Sequence, residues 1–158
     1  MKKLKRLGLL LFTVLAFAAF IPSVASAESF EGTIALDDGS GDPGEPCAIL
    51  FDYNGGFPGS GPLSNVETDG CLYEGMPINV TGSSLSASFS GTGSSAINGS
   101  VTVALLGGLI SCTYTIDPPG LVGTYTYPPL VGTWTGTATK TGGSSLCPPS
   151  VSITITVP

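Results

Sequence analysis

Over most of the chain beyond residue 27, apolar and polar side chains alternate with a period of two. Phe30, Gly32, Ile34 and Leu36 alternate with Glu31, Thr33, Ala35 and Asp37, and Cys47, Ile49, Phe51 and Tyr53 share one side of the next run. Leu85, Ala87 and Phe89 stand against Ser86, Ser88 and Ser90, and Val101, Val103 and Leu105 follow. Ile110, Cys112, Tyr114 and Ile116 oppose Ser111, Thr113 and Thr115. Trp134, Gly136 and Ala138 oppose Thr133, Thr135, Thr137 and Thr139, and Val151, Ile153, Ile155 and Val157 oppose Ser152, Thr154 and Thr156. Side chains that change face at every residue belong to extended backbone. The pattern therefore predicts strands with one apolar and one wet face, and no stretch of this region shows a helical period.

Turn chemistry separates these runs. Asn54-Gly55-Gly56 and Asn98-Gly99 predict hairpin turns, because Asn and Gly tolerate positive φ. Pro118-Pro119-Gly120, Pro128-Pro129 and Pro148-Pro149 lack the N–H groups a ladder needs and predict connections. Short, half-polar strands at regular spacing imply an antiparallel all-β fold. The expected architecture is a β-sandwich stapled by disulfides, with a small β-barrel as the alternative.

The first 27 residues read differently. Lys2, Lys3, Lys5 and Arg6 precede an apolar run from Leu7 to Phe20, and Ala25-Ser26-Ala27 supplies small residues at a cleavage position. That is the three-part pattern of a secretory signal, and the apolar run is shorter than the roughly 20 residues a membrane-spanning helix needs. The expected product is a single secreted β domain, residues 28–158. Removing 27 of 158 residues leaves 131, a usual domain size. It also leaves Lys140 alone against 11 acidic residues, a formal charge of −10. A nucleic-acid binder needs cationic groups to displace counterions from phosphates. Nucleic acid and anionic membrane surfaces are therefore excluded as partners, and membrane insertion is not expected.

Cys47, Cys71, Cys112 and Cys147 form an even set in an exported chain, which reads as two disulfides. Three pairings are open. Cys47–Cys71 and Cys112–Cys147 are favoured because strands near in sequence usually neighbour each other in space. Wide spacing and the absence of histidine argue against zinc. The stretch from Cys112-Thr113-Tyr114 through Gly136-Thr137-Ala138-Thr139-Lys140-Thr141-Gly142-Gly143-Ser144-Ser145-Leu146-Cys147-Pro148, with its terminal β run, resembles the C-terminal part of small secreted actinobacterial proteins of unknown function. In that group the two cysteines look like a pair, which the resemblance implies here too.

Chemistry-bearing residues are few. Histidine, the usual base for a serine or cysteine nucleophile, is absent, so acyl-transfer hydrolysis is not expected. Glu67, Asp69 and Glu74 cluster around Cys71 and are the carboxylates that could hydrolyse a glycosidic bond. Asp37, Asp38 and Asp42, in a Gly- and Ser-bearing stretch, are the residues that could ligate calcium, although their spacing does not match a calcium-loop motif. A solvated turn is the preferred account of them, since Asp, Gly, Ser and Pro all favour turns. Tyr125 and Tyr127, flanked by prolines, are expected to be exposed and to offer an aromatic platform, whereas Trp134 is in phase with an inward face. The Thr133–Thr141 ladder suits a solvated sheet face, and sheet twist counts against an ice-binding lattice. The reading reached from sequence is a secreted, non-catalytic binding or structural module for an extracellular glycan or protein. Its alternative is a small glycan-processing enzyme that uses a carboxylate pair.

Overall fold

The computed structural model describes residues 27–40 and 44–158; the expected export signal, up to residue 26, and the calcium candidate Asp42 lie outside the described residues. Ten strands follow in chain order: β1 (Glu28–Asp37), β2 (Cys47–Tyr53), β3 (Gly59–Asp69), β4 (Leu72–Tyr73), β5 (Met76–Phe89), β6 (Ser94–Leu105), β7 (Ile110–Ile116), β8 (Leu121–Thr126), β9 (Val131–Gly143) and β10 (Ser150–Val157). A 3-10 turn, Leu106–Gly108, joins β6 to β7.

The sheet closes on itself. Every pairing is antiparallel, and β1 is bonded to β2 on one side and to β10 on the other. The ladder continues through β3, β5 and β6 on one side and through β9 on the other. β7 and β8 share a single lane between β6 and β9: β7 pairs with Ser100–Leu105 and β8 with Ser94–Ile97. The lane breaks at Pro118-Pro119-Gly120, where Asp117 N–H donates to Thr137 O and Gly120 N–H to Asp117 O. The result is an eight-lane barrel with next-neighbour connections, not two stacked sheets. The sandwich expectation is corrected on this point. Alternation alone cannot distinguish the two, because each presents one buried and one wet face. Register shifts at Leu50/Asp52, Val80/Gly82 and Thr113/Tyr114 add the local twist that helps a sheet curl shut.

The inward positions are the apolar half of the alternation. Ile49, Phe51, Tyr53, Leu63, Ala87, Phe89, Ile97, Ile116, Leu121, Trp134, Ala138, Ile153 and Ile155 form the buried core, and the outward Thr and Ser positions on β9 and β10 are exposed or half-buried. An eight-stranded barrel has an interior just wide enough for side chains to fill. Trp134 is the largest of them, and its indole N–H donates to Ser95 Oγ at 2.6 Å. Gly132 makes room for it, since a Cβ there would meet the indole ring.

Asn98-Gly99 is not a turn. Both residues lie inside β6, where Gly99 adopts φ 126° and a Cβ would fall on the Ser84 carbonyl. The positive φ that suits a hairpin turn serves here for a close approach of two strands. Asn54-Gly55-Gly56, by contrast, does connect β2 to β3.

Candidate functional site: the two ends of the barrel

Because consecutive lanes run antiparallel, the connections fall alternately at two ends. One end collects the turns after β2, β5 and β8 and is aromatic. Phe57, in the β2–β3 turn, packs against Tyr53 and Phe89, with ring centroids 5.0 and 4.6 Å away, and stacks on Tyr127 at 4.1 Å. Tyr125 and Tyr127 were both expected to be exposed, and the structure separates them. Tyr125 is half-buried against Phe89, and its hydroxyl donates to Ser90 O at 2.7 Å. It is a lid residue, because β8 lies in a closed lane and not at a sheet edge. Tyr127 is exposed at 39%, and its hydroxyl donates to Glu28 Oε1 at 2.8 Å. That hydrogen bond is the main cause of a raised Tyr127 pKa.

The other end collects the turns after β1, β3, β6 and β9 and carries both disulfides. Cys47 is bonded to Cys71 and Cys112 to Cys147, the pairing favoured from sequence. Such bonds are typical of extracellular proteins. Tyr73 and Tyr114 close this end: Tyr73 donates to Asp38 Oδ2 at 2.9 Å and Tyr114 to Pro148 O at 3.1 Å. Burial, and then the Asp38 bond, push the Tyr73 hydroxyl up to about 12. Asp38 is held below its ordinary value, first by its hydrogen bonds with Ser40 and then by Tyr73.

The acidic stretch is thus engaged in shaping its own turn. Asp37 Oδ1 accepts from Gly39 N–H at 2.7 Å, and Asp38 Oδ1 from Ser40 N–H at 2.9 Å. Among the described residues no three Asp, Glu, Cys or His side chains gather as a metal site would require. Glu67, Asp69 and Glu74 are exposed on the outside of the same end. None of them lines the outer groove or the interior cavity described next. The first recess is an open groove of about 400 Å³ floored by Ser60, Gly61, Pro62, Ser86, Ser88 and Asn98, without a charged side chain. The second is an interior cavity of about 60 Å³, lined by Ile34, Leu63, Val66, Val80, Val101 and other apolar groups, with Thr68 at its wall.

The disulfide end also carries a feature that sequence reasoning missed. Among the described residues the four most exposed large apolar side chains are Leu109 at 86%, Leu146 at 72%, Leu72 at 51% and Leu106 at 46%. All four sit on this rim. Leu72 lies in the β4–β5 hairpin, Leu106 and Leu109 in the β6–β7 connection, and Leu146 in the β9–β10 connection. Leaving a leucine in water forgoes about 1.5–3 kcal/mol that burial would return. Leu106 is also held at φ 51°, a conformation that costs a bulky residue energy and that glycine would adopt freely. The signal was present in the sequence as Leu106-Gly107-Gly108-Leu109, two leucines bracketing flexible glycines in a turn. Compared with protein-family models, with curated proteins and with solved structures, the chain matches none.

Proposed function

We propose that this protein is a secreted, non-catalytic binding module that docks an extracellular partner through the leucine rim at its disulfide end. The exposure of Leu72, Leu106, Leu109 and Leu146 on three connections of one end carries this reading. Exposed apolar surface rimmed by polar residues marks interaction sites, and these four side chains are gathered at one end of the barrel. The rigidity of the platform supports it: Cys47–Cys71 ties down the hairpin bearing Leu72, and Cys112–Cys147 ties down the loop bearing Leu146. The absence of histidine and the outward placement of Glu67, Asp69 and Glu74 favour binding over glycan hydrolysis.

Retention on washed cell-wall preparations with their proteins in place tests the proposal, and a polysaccharide panel tests the enzymatic alternative. The purified protein should be retained without releasing reducing ends. Leu109→Ser with Leu146→Ser should abolish retention while leaving the melting temperature unchanged. Loss of retention on Tyr127→Ala with the leucine variant unaffected would move the contact to the aromatic end, and turnover of a glycan would replace the proposal with an enzymatic one.

A further inference from the structure

We infer that the rim's partner is a cationic amphipathic segment, a leucine-like apolar strip flanked along one side by lysine or arginine. This rests on the rim being a docking surface, and it comes from how charge is divided around that rim. Going round the barrel, the connections at the disulfide end follow the order of the lanes. Asp37, Asp38 and Glu45 lie in or beside the β1–β2 connection, and Asp69 and Glu74 flank the adjoining β4 hairpin. All are exposed except Asp38, which is half-buried. Leu106, Leu109 and Leu146 occupy the remaining connections of the same end. The β4 hairpin contributes to both halves, placing Leu72 two residues from Glu74. The rim is therefore half acidic and half apolar, with the boundary running through one disulfide-anchored hairpin.

The only cation of the described residues does not offset this. Lys140 donates its Nζ to Ser144 O at 3.3 Å and to Cys147 O at 3.0 Å, so it caps the Leu146 loop from within. The charge pattern excludes several occupants. A second copy of the chain would bring carboxylates against carboxylates. An anionic lipid surface would be repelled by the same groups. A partner presenting apolar side chains beside basic ones satisfies both halves at once, with electrostatics setting orientation and encounter rate.

Titrating the purified disulfide-bonded protein with a synthetic amphipathic helical peptide of leucine and lysine, by fluorescence anisotropy, tests the inference. The leucine–lysine peptide should bind at least tenfold more tightly than a leucine–glutamate peptide of the same length, and its affinity should fall as salt rises. Leu109→Ser with Leu146→Ser should weaken binding at least tenfold. Asp69→Asn with Glu74→Gln should weaken it severalfold and flatten the salt dependence, whereas Glu28→Gln with Glu31→Gln, at the far end, should do neither. Leucine-dependent binding that is indifferent to peptide charge would overturn the charge inference and leave the docking rim standing. Binding indifferent to the leucine variant would overturn both. Leucine-dependent partition onto phosphatidylcholine vesicles without peptide binding would replace the segment with a lipid surface.

Discussion

Among the described residues Thr68 carries the one buried side-chain oxygen that lacks a hydrogen-bond partner. It stands on β3 opposite Ile49, facing the interior cavity. A water molecule in that cavity would find no other polar side chain on its wall, and buried waters need two to four partners to be held. The hydroxyl therefore remains unpaired. Replacing Thr68 by Val exchanges it for a methyl of nearly the same shape. An unsatisfied buried hydroxyl costs about 1–3 kcal/mol, so Thr68→Val should stabilise the protein by an amount in that range. For a domain of this size each kcal/mol raises the melting temperature by about 3–5 °C. The void makes an independent contribution: at about 24 cal/mol per Å³, a cavity of about 60 Å³ costs about 1.4 kcal/mol. Part of that should be recovered by Val101→Ile or Val80→Ile, whichever side chain reaches the space without strain. Urea denaturation of the oxidised protein measures both effects, and an unchanged m-value would confirm that the unfolded states are comparable. Thr68→Ser, which keeps the hydroxyl and loses the methyl, should be destabilising by about 1 kcal/mol. If Thr68→Val instead lowered stability by as much as Thr68→Ser, the hydroxyl would have a partner in the folded protein and the reasoning would fail.

Other expectations are open to similar measurement. Opening Cys47–Cys71 or Cys112–Cys147, which close loops of 24 and 35 residues, should each cost about 3–4 kcal/mol in denaturant unfolding; free thiols by intact mass after alkylation would contradict the bonds. Ser95→Ala leaves the Trp134 N–H buried without an acceptor and should cost about 1–3 kcal/mol, while Ser95→Thr should cost less if the hydroxyl keeps its place; equal losses would mean that the bond contributes little. The raised Tyr73 pKa means that the protonated phenol favours the fold. Its stabilisation should be full below pH 10 and fade as pH climbs toward about 12, and Asp38→Asn should bring the Tyr73 titration down, as followed by phenolate absorbance. For Asp38 the sign reverses, its contribution being present above the ordinary carboxylate value and lost as pH falls through the lowered one. Deleting residues 150–158 removes β10 from between β1 and β9, leaves two unpaired edges, and should give aggregation or failed export; a monomeric, equally heat-stable product would show that the lane is dispensable.

Local character was legible in the sequence wherever two signals agreed. The inward faces of β2, β7, β9 and β10 follow from alternation, and the proline pairs mark breaks in the right places. β3 is hidden in the sequence because Gly59, Gly61, Pro62 and Asn65 interrupt its pattern, and Asn65 takes φ 51° within the strand. Tertiary pairing to β2 and β5 overrides those poor local propensities. The first half of β5 was obscured similarly by its polar run from Thr81 to Ser84. With those strands unassigned, the parity that sends each connection to one end or the other could not be counted. Four leucines that are scattered in sequence then had no visible reason to meet. Tyr125 misled for a related reason, since flanking prolines suggested exposure and the closed barrel turns that position toward its aromatic end.

That closure separates the order of the lanes in space from the order in which the chain visits them. β1 and β10 are laddered from Thr33–Thr156 to Asp37–Ser152 although they lie at opposite ends of the β domain in sequence, and Glu28 and Val157 both lie at the aromatic end. A short linker from Pro158 to Glu28, with the chain opened instead in the Ser90–Gly93 turn, would preserve every ladder and both disulfides. Such a permuted chain would begin at β6 and end at β5, and its longest hairpin would form last. The ring of strands is thus indifferent to its starting point, and the order of assembly becomes a property that can be rewritten without touching the folded product.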